Sequence, residues 1–341
     1  MTTSLLSICI PSYNRPDELR NLLASIDGPS VDIEIVICED LAPKRLEVRA
    51  VANAFAETSA YSTYYHENTK NCGFDGNLRR LVECATGEYI MFMGDDDMFV
   101  PGALIKFIEF LKQNRDKPYV LRTYISQNLD GQFEYFRYLP KTTSLPPGET
   151  TVAWLFKRSV VICGFTISRV EALKYSTTDL DGTLLYQVYI MAQVCFQNKS
   201  IYCDIPIVNC VQTCRLDKPM FGNSEAEKSR FTPGSISYNN SINFTNAYFE
   251  VTAYLDKQHK TNLTRLVRVN LSKYSYPFLS IQRKHGIPAF LRYAKRLEIE
   301  TGLGCTPYYY IYKWALVLLN EPLCCKLIAF IKRTVGYTPN F

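Results

Sequence analysis

Three adjacent carboxylates, Asp95, Asp96 and Asp97, follow Gly94 directly after the apolar run 89–93. Gathered carboxylates repel one another and are stabilised when a cation neutralises them. Hard ions such as Mg²⁺ or Mn²⁺ take carboxylate oxygens together with substrate phosphates, so the cluster predicts a divalent-cation seat on Asp95, Asp96 and Asp97. The competing use is a solvated acidic turn that caps the helix beginning near Pro101. Three more segments carry groups suited to a polar ligand. Pro11, Tyr13, Asn14 and Arg15 bring a stacking ring, an amide and a cation. Glu39 and Asp40 bring carboxylates able to accept hydrogen bonds from a base or a ribose, or to begin a helix. Asn71, before Cys72-Gly73, opens a helix that contains Asn77. His66, His259 and His285 stand alone and are assigned no catalysis.

The elements that must position these residues alternate. Apolar, β-branched runs at 5–10, 33–38, 61–66, 88–93 and 119–126 read as strands. Between them, 16–26, 43–57, 77–85 and 101–111 read as helices; Leu19, Leu22, Leu23 and Ile26 recur at helical spacing in the first. Alternation of this kind means βαβ units and a parallel sheet with right-handed crossovers. Ligands of such sheets sit at the carboxyl ends of the strands, which here are 11–15, 38–41, 67–77 and 94–98, where the candidate residues fall. Beyond them, 133–138 reads as a hairpin arm, 140–150 as a loop, 183–195 as a helix and 200–211 as a strand. The polar stretch 218–238 reads as a mobile loop, and almost everything from Ser241 onward as helix.

The ordered set Ser7-Ile8-Cys9-Ile10-Pro11-Ser12-Tyr13-Asn14-Arg15-Pro16, Glu39-Asp40, Glu67-Asn68, Asn71-Cys72-Gly73, Asn77, Gly87-Glu88-Tyr89-Ile90-Met91-Phe92, Asp95-Asp96-Asp97 and Pro101-Gly102-Ala103-Leu104 resembles the family 2 glycosyltransferases across residues 4–115. The resemblance implies a GT-A fold, which is α/β and Rossmann-like, with a mostly parallel sheet flanked by helices. It further implies a nucleotide diphosphate sugar donor and a divalent cation, Mg²⁺ or Mn²⁺. Tyr13 and Asp40 match the nucleoside-contacting positions. Many members carry Asp-x-Asp-Asp where this chain has Gly94 first, so the ribose- and ion-holding pair is either Asp95 with Asp97 or Asp95 with Asp96. The family's general base lies in the second half before a helix. Asp181 and Asp179 match, Asp181 preferred, with helix capping as their other use. Arg215 stands near the polar loop and carries a planar fork suited to a diphosphate, or simply faces water. The Gly-Asp-Asp-Asp form and the basic tail most resemble bacterial O-antigen sugar transferases. That implies a 3,6-dideoxyhexose, a polyprenyl-diphosphate-linked oligosaccharide acceptor and a peripheral place on the cytoplasmic face of the cell membrane. Two rivals are a metal-dependent nucleotidyltransferase and a non-catalytic nucleotide-binding membrane scaffold.

The composition sets outer bounds. The chain has 341 residues, 47% hydrophobic and 21% charged, which excludes collagenous, coiled-coil and disordered classes. The expected division is a catalytic domain over 1–240 and a basic helical region over 241–341. From Val251 to Phe341 there are 14 Lys/Arg against four acids, a net +10, while residues 1–250 carry −5. A basic tail implies an anionic partner surface. With no nucleic-acid module beside it, that surface is expected to be lipid rather than nucleic acid. Residues 308–319 are apolar except Lys313, and Asn320-Glu321-Pro322 is expected to end that helix, too short to span a bilayer. Residues 323–335 repeat the pattern with Lys326, Lys332 and Arg333 interleaved. This describes helices lying in a membrane interface, and removal of 305–341 is expected to release the protein from membranes. A packed helical subdomain or a homodimer contact is the alternative. Of the 12 Cys, Cys9, Cys38, Cys84, Cys163 and Cys195 sit in apolar runs and read as small hydrophobes. Cys203, Cys210 and Cys214 lack paired zinc-ligand spacing. The amino terminus has no basic leader pattern, so a reducing cytoplasm is expected.

Overall fold

The computed structural model describes residues 4–127, 133–211, 221–233 and 236–335. The first half alternates as read: β1 (Leu6–Ser12), α1 (Pro16–Ala24), β2 (Ile33–Glu39), α2 (Arg45–Thr58), β3 (Ser62–Glu67), α3 (Gly73–Cys84), β4 (Tyr89–Phe92), β5 (Met98–Phe99), α4 (Ala103–Gln113) and β6 (Tyr119–Gln127). There follow β7 (Phe133–Phe136), β8 (Thr143–Leu145), α5 (Glu149–Phe156), β9 (Phe165–Ser168), α6 (Arg169–Leu173), α7 (Tyr186–Gln197), β10 (Ser200–Val211) and α8 (Glu225–Lys228). The remainder is helical: α9 (Tyr238–His259), α10 (Leu263–Lys273), α11 (Tyr276–Ser280), α12 (Ile287–Thr301) and α13 (Pro307–Val335).

One sheet runs in the order β3-β2-β1-β4-β9-β6-β10-β5. β1, β2, β3 and β4 pair parallel, and so do β6 and β10. The antiparallel β9 stands between β4 and β6, so the sheet is α/β and mostly parallel only in its first half. The register places Ser12 opposite Glu39 and Glu39 opposite Glu67, bringing three carboxyl ends level on one edge. Successive residues of β1 and β2 point to opposite faces and both faces are buried, as parallel sheets require. Ile8, Ile10, Ile35 and Ile37 pack with Leu19, Leu22, Phe107 and Leu111 on one face. Cys9 and Val36 belong to the cluster on the other face, with Leu78, Ile90, Phe156 and Ile190.

That second cluster runs on through Tyr248, Phe290, Tyr293, Tyr309 and Leu316, so the helices after 240 share a core with α3, α5 and α7. The expected break at Pro322 is absent: α13 passes through it. Proline removes one helical hydrogen bond and crowds the carbonyl four residues earlier. Here that carbonyl belongs to Leu318, which is 80% exposed, so the helix can bend there without disturbing the core. Among the described residues no helix is long and apolar enough to cross a membrane.

Candidate functional site

Met93 N–H donates to the Cys9 carbonyl, and the chain then turns through Gly94, so that the acidic cluster meets the end of β1. Asp95 is buried there. One of its oxygens accepts from Ser12 Oγ (3.2 Å) and the Tyr13 N–H (3.3 Å), and the other from Arg15 (3.1 Å). The same Arg15 nitrogen donates to Asp96 at 2.6 Å. The three side chains are 7–10% exposed. Burial pushes Asp95 up to about 7, with the Arg15 charge acting against it. A guanidinium already lies where two carboxylates need positive charge, and the oxygen-only donor set suits Mg²⁺ or Mn²⁺.

Asp97 differs from its neighbours. Its carboxylate accepts from the Val211 N–H at the end of β10 (2.7 Å) and from the Cys163 thiol. Its two oxygens are taken up by β10 and Cys163, whereas Asp95 and Asp96 share Arg15. Gly94 opens the acidic turn. A Cβ there would lie 3.0 Å from Asp97 and 3.2 Å from both Asp96 and Cys163, so a larger residue would have to push these side chains aside.

The strand-two end forms a second cluster. Asp40 accepts from the N–H groups of Cys72 and Gly73 and from Asn68, each at 2.8 Å. Burial raises its pKa, and those three donors oppose the rise. Asn77 lies behind it, donating to the Cys38 carbonyl and accepting from Asn68, so Asn77 braces Asp40 rather than lining the crevice. Asn71 accepts from the Gly73 N–H and hydrogen-bonds the Tyr13 hydroxyl, which also lies near Asp40. Asn14 adopts φ 67° and accepts from the Lys44 N–H, joining the Tyr13 turn to the loop after β2. Pro11, half-buried, pairs with Cys38 in the ladder. Glu39 accepts from the Ala42 N–H, and among the described residues its second, buried oxygen has no partner; burial pushes it up to about 7.

Glu227 completes this cluster and escaped the sequence reading. It accepts from the Phe74 N–H at the start of α3 (2.7 Å) and from Gly222 and Asn223, while its N–H bonds Ser224. The legible signal was the capping box Ser224-x-x-Glu227. Gly73 (φ 73°) and Gly182 (φ 85°) let this segment approach, since their Cβ atoms would sit 2.3 Å from Ser224 Oγ and 2.5 Å from the Ala226 carbonyl.

In the second half, Asp181 binds Arg79 through both oxygens, at 2.5 and 2.8 Å. Asp179 is exposed and accepts from the Tyr254 hydroxyl at 2.8 Å. Neither caps α7. Asp75 does so from α3, accepting from the Leu184 and Tyr186 N–H groups, and burial pushes it up to about 7. Arg215 lies outside the described residues.

The glycosyl transferase family 2 model matches residues 7–176. Abequosyltransferase RfbV of Salmonella typhimurium is 30% identical over 33% of this chain and 34% of its own. A GalNAc(5)-diNAcBac-PP-undecaprenol beta-1,3-glucosyltransferase of Campylobacter jejuni is 29% identical over 29% of this chain and 32% of its own. The chain thus spans about a third of the length of these relatives. Among solved structures, S. aureus TarS 1-349 superposes on 94% of this chain and 91% of its own at 14% identity and TM-score 0.49, a likeness too loose to carry an argument.

Proposed function

The chain belongs to glycosyl transferase family 2 through its residues 7–176, and from that premise we propose that it moves a sugar from a nucleotide diphosphate sugar to a hydroxyl of a lipid-linked saccharide. The observation that carries the reading is the Asp95–Arg15–Asp96 group beside Tyr13 at the carboxyl ends of β1 and β4. Tyr13 offers a ring face to the base, with Asn71 and Asp40 at its hydroxyl edge. Asp40 is fixed by three donors, so it meets a base N–H without reorganising. Asp95 and Asp96 would hold Mg²⁺ or Mn²⁺. Bound there, the cation offsets the charge of the departing diphosphate. Arg15, released from those carboxylates, presents its fork to the same phosphates.

The acceptor hydroxyl must lose a proton to a carboxylate. Asp181 can take it only when the Arg79 pair opens, whereas Asp179 is engaged at one oxygen. We therefore assign the base to Asp179 and a bracing role to Asp181. Support for a lipid partner comes from α13, where Ile311, Trp314, Leu318, Leu323, Leu327 and Phe330 are 48–80% exposed, with Lys313 and Lys326 beside them. Apolar surface flanked by cations suits the cytoplasmic interface of an anionic membrane. The donor sugar in this reading is a 3,6-dideoxyhexose, on the likeness to the Salmonella relative.

The test is product analysis with nucleotide-activated sugars, 3,6-dideoxyhexoses first, and a polyprenyl-diphosphate-linked acceptor. Release of a nucleoside diphosphate that stops in EDTA supports the proposal. Release of pyrophosphate makes the protein a nucleotidyltransferase. No turnover with any donor, together with full cellular function of Asp96→Ala, makes it a scaffold.

A further inference from the structure

Asp97, taken up by β10 and Cys163, is not left to the solvent. Its carboxylate, Cys163 Sγ and Cys210 Sγ all lie within 4.8 Å of one another. They come from three places: the turn after β4, the loop before β9 and the end of β10. Asp97 is 6% and Cys163 4% exposed, while Cys210 is half-buried and gives the open side. The other Asp97 oxygen is fixed by the N–H of Val211, the residue after Cys210, so carboxylate and thiol are presented together. Gly94 keeps the space clear, since a Cβ there would press on Asp97 and Cys163.

We propose that Asp97, Cys163 and Cys210 form a second cation site, selective for a thiophilic divalent ion such as Zn²⁺ and separate from the seat on Asp95 and Asp96. Tetrahedral Zn²⁺ with Zn–S of about 2.3 Å and Zn–O of about 2.1 Å spaces its donors roughly 3.5–3.8 Å apart, so donors within 4.8 Å need only a small inward movement. Three protein ligands leave a fourth position for water at the Cys210 side. As each metal–sulfur bond forms, the thiol releases its proton to solvent. Sulfur donors disfavour Mg²⁺, which prefers oxygen. Two thiolates and a carboxylate outweigh a divalent charge, leaving the loaded site net −1. It would therefore repel a diphosphate rather than assist its departure. Its effect is mechanical: the ion ties the acidic turn to β9 and β10 and stiffens the backbone that carries Asp95 and Asp96.

The test titrates Co²⁺ into the reduced full chain and reads the thiolate-to-cobalt charge-transfer absorption, a signal independent of sugar transfer. The expected result is a band saturating at one ion per chain, unaffected by excess Mg²⁺ and displaced by Zn²⁺, with Zn²⁺ raising the melting temperature. Cys210→Ala, at the less buried position, weakens binding at least about tenfold. Cys163→Ser and Asp97→Asn weaken it as well. Absence of the band from folded, reduced protein would overturn the site, as would a band that survives Cys210→Ala and Cys163→Ser unchanged. A charge-transfer band that Mg²⁺ abolishes would overturn its separation from the donor seat.

Discussion

Replacing Arg15 by Met isolates what a single cation does for two buried carboxylates. Arg15 lies 3.1 Å from Asp95 and 2.6 Å from Asp96, and all three side chains are at most 10% exposed. At an effective dielectric near 20, one such pair is worth about 4 kcal/mol before desolvation is subtracted. Removing one partner from a buried pair typically costs about 3–5 kcal/mol, because an uncompensated charge remains. For a chain of this size that lowers the melting temperature by roughly 4–7 °C. The loss should depend on pH in a known sense. Burial already places Asp95 at about 7, and Arg15 holds it down. Without Arg15 it titrates higher still, while the unfolded chain keeps its ordinary carboxyl value. Between those values the native state holds the extra proton, so stability falls as pH rises. The defect is therefore greatest at about pH 8 and shrinks toward about pH 6, where Asp95 is protonated. Because the carboxylates are a cation seat, Mn²⁺ should raise the variant's melting temperature more than the wild type's. The assay is thermal unfolding of both proteins at the two pH values, in EDTA and in Mn²⁺. A variant that melts within about 1 °C of wild type at pH 8 in EDTA refutes the charge argument. Equal Mn²⁺ shifts in both proteins refute the seat.

Further expectations follow from other contacts. Asp179→Asn should lower kcat by about 10²–10⁴-fold with donor affinity intact, whereas Asp181→Asn, which loses the Arg79 pair, should cost about 1–3 kcal/mol of stability and less than tenfold in rate; steady-state kinetics beside denaturant melts separate the two. Burial, then the adjacent Arg158, bring Lys157 from 10.5 down to about 7. The unfolded chain therefore binds the extra proton across that window, and stability rises from pH 7 to 10 by up to about 1.4 kcal/mol per pH unit; in Lys157→Met that slope should vanish from the melting curves. Deleting α13 would strip Tyr309 and Leu316 from the core, so the membrane test is better made by substitution. Leu318→Glu with Leu327→Glu should reduce flotation with anionic vesicles at least about tenfold and leave nucleoside diphosphate release unchanged.

Most of the first 113 residues was readable because β1, β2 and β4 are largely apolar runs buried on both faces and each helix shows one apolar stripe, whereas β3 is partly exposed and the two-residue β5 carries no periodicity. The acidic turn was readable for the same reason: three carboxylates at the end of an apolar strand have few uses. Their orientations were not readable. Nothing local says that Asp97 turns inward, since its partners Cys163 and Val211 lie 66 and 114 residues away. Asp75 shows the same limit, binding α7 across more than 100 residues where sequence pointed to Asp179 and Asp181 as the acids near that helix. Four-residue β9 is shorter than any reliable alternation, and its antiparallel direction depends on β4 and β6 rather than on its own residues. Pro322 misled because a helix can continue through a proline at the cost of one backbone hydrogen bond, and α13 does so.

Nucleoside diphosphate binding, measured by titration calorimetry in Mn²⁺ and in EDTA for wild type, Asp96→Ala and Asp97→Asn, tests the donor seat most directly. The account predicts binding that needs Mn²⁺, is lost in Asp96→Ala and persists in Asp97→Asn, because Asp96 shares Arg15 with Asp95 while Asp97 faces Cys163 and Val211. Mn²⁺-dependent binding that survives Asp96→Ala and disappears in Asp97→Asn would contradict it.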